Sequence, residues 1–476
     1  MTLGALALVL AVIATAVHER GRAGAQAAFS CGIIPQSIVV SAVMPRNFSA
    51  GNGQAGADCM AWQQFIYVNW PADPKNPGEP DPTKTSPSDF GVPNNYTTVW
   101  ESYPEASTLF QPGSTLHGLL AATRRGVKSL HVTSKFANDV LDLHGISQAG
   151  NNAWLTDQAG GLTYYEVRVN KDEAQYVTTN KLQTASGQLA CTQGAKGFNL
   201  PSGSGTDYTC TGTTATYGDN FGALEVKAAW VELTDPSKYS QFLVANATIQ
   251  PPTGPAHNGV VGLVGLHIIH KVPNAQQFIW ATFEHVANDP QTPPPAGTPA
   301  YTYYNPGCNP KTDYYQCEIN HQPKPGDPYS APVQVARINA IGTMQAAPAT
   351  MYVWSLLPAN SVFRNYELVD TLWPQGNTPI APGATTPLTY GNSKSEVQPL
   401  ANTTLETYFQ GPLTPLACLD CHTSAPINTG SSALRLVRGA TGKPAKLLIL
   451  PAPHSRTQAG ATPASDYSFI FFNNGQ

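Results

Sequence analysis

A chain of 476 residues can bury a sizeable core, either as one large domain or as two to three ordinary ones. Only 12% of its residues are charged and the formal net charge is -4, so no basic patch is dense enough to argue for a nucleic-acid partner. Glycine and proline number 41 and 42 and gather in residues 71–93 and 290–328, where they break periodicity and mark long loops.

Residues 3–17 are almost wholly Leu, Ala, Val, Ile, Gly and Thr, and then meet His18, Glu19, Arg20 and Arg22. That run has the size of a secretory apolar region and falls short of the ~20 residues a bilayer span needs. Ala23-Gly24-Ala25 comes next with a small-x-small cleavage pattern, so residues 1–25 are expected to be an export signal. Met1-Thr2 brings no lysine or arginine, which leaves an uncleaved anchor or a different start open. The longest later apolar run, 260–269, reads as a buried strand, so no stable membrane insertion is expected after cleavage. The compartment implied is periplasmic or secreted.

In chain order, residues 61–67 have apolar positions at helical spacing before the proline-rich loop from Pro71. Residues 116–127 and 134–143 are two further helical candidates, the second with Phe136, Val140 and Leu143 on one face. From Tyr164 the pattern changes to short runs rich in β-branched and aromatic residues, among them 224–233, 260–270 and 277–286. Lys271 to Gln276, with Pro273 and Asn274 inside, has the length and chemistry of a hairpin connection between the last two runs. Alternation then puts Phe278, Trp280, Thr282 and Glu284 on one face, Ile279, Ala281, Phe283 and His285 on the other, and His267 and His270 on opposite faces. Residues 333–338, 351–357 and 468–472 are additional strand candidates. The fold class expected is α+β: a β-rich body with antiparallel sheet over 26–400, a few helices and long loops, and a segment 401–476 packed on it.

Six of the eight cysteines, Cys31, Cys59, Cys191, Cys210, Cys308 and Cys317, suggest local disulfides 31–59, 191–210 and 308–317, with fifteen connectivities possible in principle. One or two of these pairs could equally be reduced buried thiols. The other two cysteines form Cys418-Leu419-Asp420-Cys421-His422. A two-residue gap lets both thiols add to haem vinyl groups while the following imidazole turns to the iron. A redox-active pair or half a zinc site is the competing reading, but no second C-x-x-C and no H-x-x-x-H exists to complete a zinc tetrad. The expected cofactor is one covalent haem c, with His422 as proximal iron ligand.

In small cytochromes c the motif opens the domain and a later methionine supplies the sixth ligand. Here 54 residues follow His422 and none is methionine; the five are Met1, Met44, Met60, Met344 and Met351. The sixth position must be filled from upstream, by His454, or by water. His267, His270 and His285 on the hairpin are the first candidates, and His321 lies in the loop beside Cys317. Any one of them is individually more ordinary as a hydrogen-bonded imidazole. Glu284 could orient an imidazole or move protons, and Trp280 and Tyr408 could pack on a porphyrin, although each also reads as solvated carboxylate or plain core.

Ala61-Trp62 with Asn69-Trp70-Pro71, residues 265–271, Thr282-Phe283-Glu284-His285, and residues 402–408 leading into the C-x-x-C-H together resemble a family of large exported bacterial proteins grouped as cytochrome c family. The resemblance covers most of the chain beyond the signal. It implies haem attachment and no particular reaction, so it adds no catalytic residue. Three functions stay open: an electron carrier working with a redox partner protein; a peroxidase-like or oxygenase-like enzyme with open iron and a small-molecule substrate, suggested by the bulk upstream of the motif; and a secreted disulfide-stabilised binding protein without haem.

Overall fold

In the computed structural model the described residues are 38–48, 53–111, 113–123, 128–131, 153–290, 300–312, 317–323, 326–338, 341, 346–374, 400–410, 418–422, 425, 427–428, 435–436, 449–450 and 465–472. The expected export signal, Cys31, the helix predicted over 134–143 and His454 lie outside them.

The predicted hairpin is the centre of the molecule. Its strands, His257–Val272 and Ala275–His285, run longer than the apolar pattern alone indicated. Only Pro273 and Asn274 remain between them, and Asn274 Oδ1 accepts a bond of 2.8 Å from the Phe48 amide, tying the turn to the body. Around this hairpin a seven-stranded sheet forms from β1 (Lys128–His131), β2 (Thr163–Val169), β3 (Leu224–Glu232), β4 (Val244–Gln250), β5 (His257–Val272), β6 (Ala275–His285) and β7 (Tyr366–Leu372). One edge of β5 pairs with β3, which in turn pairs with β2. The amino-terminal half of β5 also pairs with β4, and its carboxyl-terminal half with β6, so those two strands lie end to end along its other edge. β7 joins β6, and the four-residue β1 joins β4 as the parallel member of an otherwise antiparallel sheet. The protein is thus α+β with a β-rich body.

Helix α1 (Gly53–Val68) contains the predicted helix 61–67 and covers one face of this sheet. Trp62 and Phe65 meet Phe283 of β6 at ring centroid distances of 4.9 and 4.4 Å. Nearly every residue from Gly56 onward in α1 is buried, so its polar side chains need partners inside the protein. Gln64 Nε2 reaches His270 Nδ1 at 2.8 Å, Gln54 Nε2 reaches Asp370 at 2.9 Å, and Gln63 accepts from the Val39 amide at 3.0 Å. The helix predicted over 116–127 is observed as α2 (Leu116–Ala122), capped by Thr115, with 124–127 outside the described residues. Among the helices of at least eight residues in the described chain, α3 (Lys171–Thr179) and α4 (Ala185–Thr192) escaped the sequence reading. Each is preceded by a side-chain cap, Asn170 or Thr184, that accepts a first-turn amide.

Three predicted strands are corrected. Residues 351–357 fall largely in helix α5 (Ala346–Leu356), whose buried Ala346, Ala349, Thr350 and Val353 recur at helical spacing. Tyr352-Val353-Trp354 looks strand-like, but packing against β7 overrides that local preference. Residues 333–338 are extended without a ladder: the amides of Val333, Val335 and Arg337 go singly to Thr156, Tyr303 and Pro290, three different segments. Residues 468–472 hold a 3-10 turn, Phe469–Phe471, because Asp466 and Tyr467 both take positive φ, 55 and 69°, and Ser468 caps the turn by accepting the Ile470 amide.

Disulfides join Cys191 to Cys210 and Cys308 to Cys317, as expected. Cys59 is also disulfide-bonded, and its suggested partner Cys31 lies outside the described residues. Among the described residues no helix is long and apolar enough to cross a membrane.

Candidate functional site

The site lies on the sheet face turned away from α1. Alternation along β6 gives Phe283 to α1 and leaves Trp280 and Thr282 for the other side. Cross-strand pairing brings Lys227 and Glu225 of β3, His267 and Ile269 of β5, and Trp280 and Thr282 of β6 onto that same surface.

Residues 400–410 are fastened across it. Asn402 Nδ2 donates to Thr282 Oγ1 and to the Phe283 carbonyl, both at 2.9 Å, while its Oδ1 accepts from the amides of Thr404 and Leu405. Glu406 closes the turn by accepting the Asn402 amide at 2.8 Å. Gly265 makes the approach possible: a Cβ there would sit 2.2 Å from Thr404 Oγ1. Beside it, Thr403 donates through its amide and hydroxyl to Glu284 Oε2 at 3.0 and 2.7 Å, and Arg337 pairs with Glu284 Oε1 and donates to the Ala401 carbonyl. Arg337 and Glu284 are both buried. Two further carboxyls lie close enough to feel them: burial, reinforced by the Glu284 charge, pushes Asp289 well above the usual carboxylate range and Glu367 up to about 7. Glu284 therefore serves as a structural anchor and not as a partner of His285.

The C-x-x-C-H motif forms the short helix α6 (Cys418–His422), with Cys418 half-buried and in the apolar core's margin. Helical spacing sets positions 418 and 421 one turn apart on one side. The His422 ring is walled by Trp280, 4.5 Å between centroids, and by Phe469 at 5.0 Å. Its Nδ1 lies 2.7 Å from the carbonyl oxygen of Tyr467 and donates to it. The left-handed pair Asp466-Tyr467 turns that carbonyl inward, at a cost of about 1–2 kcal/mol per residue. Asp466 holds the turn by accepting from the Leu200 amide at 2.7 Å and from Lys271 Nζ at 2.5 Å. Burial lowers the imidazole's proton affinity, to a pKa of about 4; the Tyr467 carbonyl and Glu406 oppose the shift, and Lys227 and His267 assist it.

His267, Lys227 and Glu406 are thus close enough to His422 to act on its charge. His267 Nε2 is 2.6 Å from Glu406 Oε1. Burial raises the Glu406 carboxyl, but the charges of His267 and Lys227 and the Asn402 amide outweigh it and hold it below the usual range. The other hairpin histidines are not gathered here. His270 sits on the α1 face with Nδ1 on Gln64 and Nε2 on the Phe221 carbonyl. His285 uses Nε2 on the Gln241 carbonyl and Nδ1 to accept from the Ala287 amide, and stacks on Phe242 at 4.1 Å. His321 stands half-exposed near Glu318, and Tyr408 packs in a second core cluster with its hydroxyl on the Trp154 carbonyl.

Trp280 was legible as a candidate neighbour of the motif. Glu406, Lys227 and Tyr467 were not. A scan against protein-family models gives no match, and comparison with curated proteins and with solved structures gives none either.

Proposed function

We propose that this chain is an exported c-type cytochrome, with one haem joined covalently at Cys418 and Cys421 and bound through His422, and that it acts in electron transfer. The observation that carries the reading is the set of His422 about one ring nitrogen. An imidazole whose Nδ1–H is committed to a carbonyl is fixed in the tautomer that keeps its lone pair on Nε2, which is how iron-binding histidines are oriented. Haem, when bound, supplies one-electron iron chemistry.

The protein's own residues have distinct tasks in this reading. Cys418 and Cys421 tether the group, and Tyr467 sets the pitch of the ligand ring. Trp280 and Phe469 keep water from the ring's flanks, which favours the neutral, coordinating form of the imidazole. The disulfides agree with maturation outside the cytoplasm, where covalent haem attachment also takes place. Resemblance of the hairpin and motif segments to the cytochrome c family supports the same assignment.

The test is a pyridine haemochrome assay with ultraviolet-visible spectra of full-length protein made alongside haem-maturation machinery. One thioether-linked haem per chain, low-spin bands and no carbon monoxide adduct are expected. A carbon monoxide adduct with peroxide or substrate turnover would move the assignment to a haem-dependent oxidoreductase. Absence of haem from protein so produced would leave a secreted disulfide-stabilised binding protein.

A further inference from the structure

The four best-placed histidines divide by how their ring nitrogens are used. His270 and His285 have both nitrogens engaged by protein groups, which leaves neither a lone pair to offer. His422 and His267 each have one nitrogen engaged by an oxygen, the Tyr467 carbonyl in one case and the Glu406 carboxylate in the other. An oxygen acceptor requires an N–H opposite it, so each ring in its neutral form, the form that binds iron, keeps a lone pair on its other nitrogen, Nε2 of His422 and Nδ1 of His267. Both rings belong to the sheet face covered by residues 400–410 and 465–472.

We infer that His267 is the second axial ligand of the haem iron and that Glu406 is its positioning residue, an inference that rests on the proposed haem attachment. Glu406 is built for that role. Its Oε2 is pinned by the Asn402 amide at 2.8 Å, and Asn402 is pinned to β6, so Oε1 is held at a fixed height over β5. A carboxylate accepting the ligand's N–H makes the imidazole more basic and stabilises ferric over ferrous iron. Lys227, directly across β3 from His267, adds a positive charge that balances the carboxylate. Methionine ligation has less support: Met60 lies on α1, on the far side of the sheet, and Met44 is buried in the core cluster that α1 joins.

The experiment compares wild type, His267→Ala, His267→Met and Glu406→Gln as full-length protein from a haem-maturing host, with far-ultraviolet circular dichroism as the folding check. Wild type should give the low-spin spectrum and electron paramagnetic resonance of two nitrogen ligands. His267→Ala should become high-spin and bind carbon monoxide, and added imidazole should restore the low-spin state. His267→Met should stay low-spin and gain the ferric sulfur-to-iron charge-transfer band near the red end of the spectrum. Glu406→Gln should remain low-spin with its midpoint potential shifted upward. Low-spin, carbon monoxide-inert His267→Ala protein, or His267→Met protein with unaltered nitrogen signals, overturns the ligand assignment while leaving the haem in place. Wild type without covalent haem overturns the underlying reading instead, so the two failures are told apart by the haemochrome assay alone.

Discussion

Replacing Arg337 with methionine removes a guanidinium from a buried group of acids. That guanidinium pairs with Glu284 and donates to the Ala401 carbonyl at 3.2 Å, and both charged side chains are almost wholly excluded from water. Breaking a buried pair by deleting one partner costs about 3–5 kcal/mol, since the abandoned charge keeps its desolvation penalty. Losing the bond to Ala401 adds about 1 kcal/mol, so a loss of about 4–6 kcal/mol at pH 8 is expected. Thr403 still donates twice to Glu284, which keeps the value from rising further. Acidity supplies an internal check. Glu367 and Asp289 already have raised proton affinity, and removing the cation raises it more. An acid with a higher pKa folded than unfolded gains stability as pH falls through that window, so the variant should recover part of its loss between pH 8 and pH 5. Urea unfolding tracked by tryptophan fluorescence at both pH values, with Glu284→Gln and the double variant completing a cycle, measures the cost and the coupling. A loss under ~1 kcal/mol at pH 8, or a larger loss at pH 5 than at pH 8, would refute the reasoning.

Gly265→Ala should weaken the docking of residues 402–406, because its methyl group would meet Thr404 Oγ1 at 2.2 Å and Asn402 Oδ1 at 3.1 Å; a loss of about 1–3 kcal/mol is expected in the same assay, and an unchanged midpoint would show that the close approach is dispensable. Glu166 gives an acid-side prediction. Burial raises its proton affinity, but Lys128 and Arg168 outweigh that and bring the pKa from 4.5 to about 2, worth on the order of 3 kcal/mol. That stability is full above pH 4.5 and disappears as pH falls towards 2, so the gap between wild type and Glu166→Gln in urea midpoint should narrow steadily across that range; a constant gap would count against it.

The hairpin was legible because two runs rich in β-branched and aromatic residues enclose Pro273-Asn274. The strand-like look of 351–357 misled because Tyr352, Val353 and Trp354 favour sheets locally, while the buried stripe that decides the matter begins earlier, at Ala346. The β4 and β7 strands escaped notice: β4 mixes buried and partly exposed positions irregularly, and β7 is buried at nearly every position. At the site, the motif residues and Trp280 could be read from the chain. Tyr467 could not, since it contributes a backbone oxygen, and every residue has one. Which hairpin histidine faced the motif was also hidden, because it depends on what occupies the second ring nitrogen of each, a property of tertiary neighbours such as Gln64 and Gln241.

Two different kinds of oxygen orient His422 and His267, and they do not offer the same freedom to change. Swapping the side chain at position 467 leaves its main-chain oxygen where it was, so the basicity of His422 is insulated from point replacement unless the left-handed bend at Asp466 itself straightens. Glu406 offers a side-chain oxygen instead, so its exchange for glutamine changes the partner of His267 directly while keeping an oxygen for the Asn402 amide. Variation within this scaffold would accordingly adjust its electronics from the His267 side, with the His422 side acting as a fixed reference.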